Sequence, residues 1–197
     1  MTLNGTLLAS ALSATLAIGF GAPAALATTR PASKTPAKTT THVMTDTQFA
    51  KAAAEGGMAE VKLGQLAEDK GDSQVVKDFG KRMVADHTKI GEELKTTAAG
   101  DKLTLPMTLS AHDQAAYDKL SKLSGAAFDR AYARDMVHDH ITDIAAFKTE
   151  AKDGKNTGIK TFASNALPTL EEHLKLARTM YHDVSPHRKA ASTAKKS

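Results

Sequence analysis

Four ionisable residues stand where apolar ones are expected. Glu60, His87, His140 and His173 each fall on the apolar stripe of a helix-like run. At ~100° per residue, His87 sits in the stripe of Val76, Phe79, Met83, Ile90 and Leu94. Glu60 lies among Phe49, Ala53, Gly56, Leu63 and Ala67. His140 lies among Ala133, Val137, Ile144, Phe147 and Ala151, and His173 among Ile159, Phe162, Ala166, Leu170 and Ala177. Groups that cost this much to bury are paired, neutral or bound to something. Imidazole and carboxylate from facing helices build metal sites in bundle interiors, and neutral imidazole suits Fe, Zn or Cu. A polar network that fixes helix register uses the same residues without a ligand. Contact with another small ligand or a partner is the third reading. No catalytic residue is assigned.

Each imidazole follows an acid: Asp86-His87, Asp139-His140, Glu172-His173. That acid points ~100° away from its own His, so it orients a neighbouring helix's imidazole or faces water. Di-iron oxidases use Glu-x-x-His twice. This chain has no Glu-x-x-His, and its nearest match, Asp135-x-x-His138, falls on an outward face. Height is the second constraint. Counted from a turn near residue 71, Glu60 and His87 differ by ~8 Å along the helix axis at ~1.5 Å per residue. Two pairs, or a stacked ladder, are therefore expected as readily as one centre. His112, His138, His182 and His187 read as solvent-facing. Met58, Met83, Met107 and Met136 read as core filler, and Tyr117 and Tyr132 as packing residues with wet hydroxyls.

The elements that position these residues are marked by caps and breakers. Thr45 and Gln48 form a capping box that opens a helix to about residue 68. A short turn at Gly71 leads to a second helix over about residues 74–98, antiparallel to the first. Ser110 caps a short helix, and Ser124-Gly125 breaks it. A third long helix follows over about 126–151, then a turn at Gly154, then a fourth to about residue 182. Pro168 is expected to kink or split that last helix near Asn165. Two helical hairpins joined by a crossover of ~25 residues predict an all-α, ferritin-like four-helix bundle.

The ends differ from the middle. Residues 1–27 read as a secretory signal peptide cut after Ala27, and 28–44 as a disordered linker. The bundle spans 45–183, and 184–197 form a basic disordered tail. Arg30, Lys34, Lys38, Arg188, Lys189, Lys195 and Lys196 are all outside the bundle, so the net charge of +4 leaves 45–183 at −3. No nucleic acid is expected as a partner, because a binding domain carries its basic face on the fold. Membrane association is peripheral at most, and a homo-oligomer stays open. There is no Cys, which excludes disulfides, thiolate ligands, Cys nucleophiles and a lipoprotein anchor. The expected location is the periplasm or cell envelope.

Several segments, in order, carry a resemblance. They are Phe49 with Glu60-Val61-Lys62-Leu63-Gly64, Phe79 with Met83-Val84-Ala85-Asp86-His87, and the run from Leu123 to Tyr132. Met136-Val137 with His140 and Leu167-Pro168-Thr169-Leu170-Glu171-Glu172-His173 complete the set. Over about residues 45–182 the chain resembles an exported bacterial family known as domain of unknown function 4142. The resemblance implies a ferritin-like bundle and an envelope location, and no particular activity. The expected function is a non-enzymatic, stress- or envelope-related protein whose polar interior is a candidate transition-metal site. The alternatives are a ferritin-like redox enzyme acting on metal or peroxide, and a ligand-free scaffold.

Overall fold

The computed structural model describes residues 44–185. The expected signal peptide, most of the linker, His187 and all but the first residues of the tail lie outside them. The described residues form five helices and no strand: α1 Asp46–Lys70, α2 Gln74–Gly100, α3 Ala111–Ser121, α4 Gly125–Asp153 and α5 Thr157–Val184. None is long and apolar enough to cross a membrane.

The predicted starts hold locally. At α1 the Thr45 side chain accepts from the Gln48 backbone N–H, and the Gln48 side chain accepts from the Thr45 backbone. The Ser110 and Asn156 side chains accept the backbone N–H groups of Asp113 and Ile159 at the starts of α3 and α5. Gly125, at φ +56°, opens α4 in the left-handed region that favours glycine. α2 runs to Gly100, about two residues past the expected end. The left-handed position is taken by Lys102, at φ 56°. Its N–H bonds to Ala99 O, and the Leu103 N–H reaches back to Ala98 O at 2.8 Å, which is a Schellman closure. α5 is not split at Pro168. Pro168 and Ser164 are both exposed, so the carbonyl left without a donor turns to water.

α1 packs on α2, α4 on α5, and α2 on α5, with a smaller contact between α1 and α4. The directions follow from residue pairs. Gly64 meets Gly80, Asp86 meets His173, Glu93 meets Asn165, and Asp46 meets Lys155. Every neighbouring pair is thus antiparallel, and α2 runs the same way as α4. The connection between them therefore travels back along the helices, with α3 lying on α1 and α4.

Two reciprocal contacts lock the hairpins together. The Asp46 carboxylate, in the first turn of α1, accepts the backbone N–H groups of Lys155 and Asn156 before α5. Asp129, near the start of α4, accepts those of Asp72 and Ser73 before α2, both at 2.9 Å. Each hairpin supplies an acid to the turn of the other.

The core falls into two apolar clusters. One holds Leu63, Phe79, Met83, Tyr132, Met136 and Met180; the other holds Phe49, Leu94, Ile144, Phe147, Phe162 and Leu170. On each long helix the inward ionisable residue stands at the change from one cluster to the other. Glu60, His87, His140 and His173 therefore form a buried polar layer between two greasy halves.

Candidate metal centre

The α1–α2 crossing sets the spacing of that layer. A Cβ built on Gly80 would stand 2.6 Å from the Gly64 carbonyl oxygen, and one on Gly64 would stand 2.7 Å from that of Gly80. Backbone touches backbone there, which only glycine permits. That contact puts Glu60 level with residue 84, three residues from His87, or ~4.5 Å along the axis. The ~8 Å offset expected from the sequence is too large. Taking the turn centre one residue early changes a cross-hairpin offset by two.

Three of the four predicted residues converge. One ring nitrogen from each of His87, His140 and His173 lies within 4.8 Å of the other two. Ring centroids are 5.9 Å apart for His87 and His140, 5.3 Å for His87 and His173, and 5.4 Å for His140 and His173. His140 and His173 are fully buried, and His87 is 5% exposed. The stacked ladder and the separate pairs are both replaced by a triangle.

Hydrogen bonds fix which nitrogens are free. His140 Nδ1 donates to the Met136 carbonyl at 2.9 Å, so its Nε2 carries a lone pair. His173 Nε2 donates to Asp86 Oδ2 at 2.8 Å, so its Nδ1 does. His140 Nε2, His173 Nδ1 and His87 Nε2 are buried with no hydrogen-bond partner among the described residues. Asp86 is itself held by Arg82 on the preceding turn of α2. Of the three acids that precede an imidazole, Asp86 is the one found orienting a neighbour's ring. Glu172 contacts Lys175 instead.

Glu60 stands apart from the triangle. It is 4% exposed, its Oε1 lies 3.8 Å from His140 Nδ1, and its Oε2 has no partner. It approaches the imidazole nitrogen that already serves Met136. Tyr132, expected to keep a wet hydroxyl, is fully buried with that hydroxyl unpartnered. Met83 and Met136 are core as expected, but Met107 is 90% exposed. His112, His138 and His182 face solvent as expected.

Electrostatics keep the layer neutral. Burial, with the neighbouring His173 and His140, pushes His87 down to about 3. Burial and His173 push His140 down to about 4. Burial also lowers His173, against the opposing hydrogen bond to Asp86. Glu60 is raised well above the usual carboxylate range by burial, then by Asp139, Asp143 and Asp113. Burial and nearby acids also lift Asp139 to about 6 and Asp143 to about 7. This acidic group beside Glu60 went unread in the sequence. Its signal was the i, i+4 spacing of Asp139 and Asp143 on one face of α4.

Neutral, desolvated imidazoles with free lone pairs are the protonation state a metal requires. Ligand nitrogens of one ion at ~2.0–2.1 Å stand about 3.4 Å apart in a tetrahedral set. A 4.8 Å spread needs only a small inward closure of the rings.

A family comparison matches residues 29–180 to the family described as Domain of unknown function (DUF4142). The chain belongs to that family. No curated protein and no solved structure matches it. The DUF4142 match covers all three imidazoles, Glu60 and Asp86, and assigns a role to none of them.

Proposed function

We propose that this DUF4142 protein is an exported, ferritin-like helical bundle that holds one divalent transition-metal ion at His87, His140 and His173. Two observations carry this: three buried imidazoles on three helices bring one ring nitrogen each within 4.8 Å of the others, and each ring has a buried nitrogen without a hydrogen-bond partner among the described residues. Three buried nitrogens without a protein partner are costly, and a shared cation satisfies all of them at once. Three neutral nitrogens suit Zn, Cu or Fe. Asp86 acts as the carboxylate behind His173, and Glu60 supports His140 rather than joining the ion. The ferritin-like reading is supported by the helix directions, in which the long connection joins two parallel helices. With one carboxylate in the layer and no Glu-x-x-His, a mononuclear site suits these residues better than a di-iron one.

The test is elemental analysis of untagged protein purified from its native envelope fraction. About one equivalent of metal surviving mild chelation, and lost in His87→Ala, is the expected result. Sub-stoichiometric metal that washes away, equally in wild type and variant, would overturn the reading.

A further inference from the structure

The glycines of α1 and α2 divide into two kinds. Gly64 and Gly80 hold the helices in backbone contact. Gly56, Gly57 and Gly91, nearer the other end, have nothing within 4 Å of where a Cβ would stand. The hairpin is pinched at one end and open at the other. The opening is a cavity of about 750 Å³, walled by small and aliphatic side chains such as Ala53, Ile90 and Leu105. Its wall includes His87, so it reaches the imidazole layer. A volume of this size suits an organic molecule, whereas a lone ion needs none of it.

The polar groups on the wall narrow the chemistry. Lys62 lines the cavity, is exposed, and makes no ion pair among the described residues. Lys95 also lines it but is engaged by Glu92 at 2.7 Å. A cation at a wet edge beside an apolar interior matches an anionic head on an aliphatic tail. A carboxylate turned inward would instead meet the Asp143 carboxyl on the cavity wall. We infer that this cavity binds a single-chain aliphatic carboxylate, its tail between α1 and α2 and its head in water beside Lys62. His87 is part of the cavity wall, so an occupied cavity covers the side of the imidazole layer that it borders. This site goes beyond the metal reading and does not need a metal.

The probe is dodecanoate, titrated calorimetrically into the full chain, with dodecyltrimethylammonium as the same tail carrying the opposite charge. Gly57→Leu and Gly91→Leu place a side chain in the open space from two different helices without a clash. Circular dichroism checks that each folds. Saturable 1:1 binding of dodecanoate, weakened at least tenfold by either substitution, is the expected result. Lys62→Glu should weaken dodecanoate severalfold and favour the ammonium probe. Absent or multi-site binding, or binding untouched by both leucines, would overturn the cavity. Equal affinity for the two probes in wild type would overturn the anionic ligand. Uptake of zinc, copper and ferrous iron measured on the same samples separates the two sites. Zinc held without dodecanoate binding overturns this inference alone, and dodecanoate bound while zinc, copper and ferrous iron are all refused overturns the metal centre alone.

Discussion

Asp86 on α2 and His173 on α5 meet at 2.8 Å, and the contact occupies His173 Nε2 and leaves Nδ1 as the ring's free nitrogen. A carboxylate behind a ligating imidazole fixes its tautomer and raises its basicity. Asp86→Asn should keep the fold and weaken zinc binding about 10–100-fold. Competition titration against a chromophoric chelator measures it. Unchanged affinity would show that His173 is held by packing alone.

His87→Leu separates a metal role from a structural one. Replacing a buried polar group by an apolar one of similar size is often neutral or stabilising. The metal-free variant should therefore melt at the same temperature as metal-free wild type, or higher. Added zinc should raise the melting temperature of wild type and leave the variant unmoved. A variant that unfolds in both states would make His87 a packing residue.

The metal-free protein should lose stability as pH falls below about 6.5. His87 and His140 have folded values near 3 and 4, below the ordinary 6.5. The unfolded chain therefore binds protons first, and the penalty grows until pH drops below the folded values. Glu60 runs the other way. Its folded value is raised, so its contribution is full below 4.5 and is lost as pH rises through the folded value. Urea titrations between pH 3 and pH 8, repeated on His87→Leu, should show a shallower acid loss in the variant. An identical slope would remove His87 from the acid response.

The two classes of glycine predict opposite signs. Gly80→Ala pushes a methyl into the Gly64 carbonyl and should cost about 1–3 kcal/mol. Gly91→Ala meets open space inside a helix and should gain about 0.5–1 kcal/mol. Urea midpoints at constant m-value decide both. Zinc affinity should fall in Gly80→Ala, because the crossing sets the height of His87 against α1.

Much of this was legible in residue order. Stripe periodicity located Glu60, His87, His140 and His173, and all four are buried. Thr45 and Gln48 marked the start of α1 through their reciprocal hydrogen bonds. Convergence was harder to read, because a one-residue error in a turn centre doubles across a hairpin. The helix expected to end at about residue 98 runs on to Gly100, and Lys102 takes the left-handed position that no glycine marks. Which glycines close the helices together and which leave room could not be read from the sequence. Gly57 and Gly64 are the same letter on the same helix, and only the facing surface makes one a contact and the other a gap. Asp129 gave no signal either, since its partners are backbone groups of Asp72 and Ser73 more than fifty residues away.

The imidazole triangle is divided unevenly between the hairpins: His87 comes from α1–α2, while His140 and His173 come from α4–α5. Neither half of the chain carries a full donor set. If the connection between α2 and α4 were severed, each fragment would be an incomplete chelator, and a tightly held ion would reward their reunion. Divalent metal would then act as the glue of a two-piece protein, with reassembly of the fragments reporting on coordination.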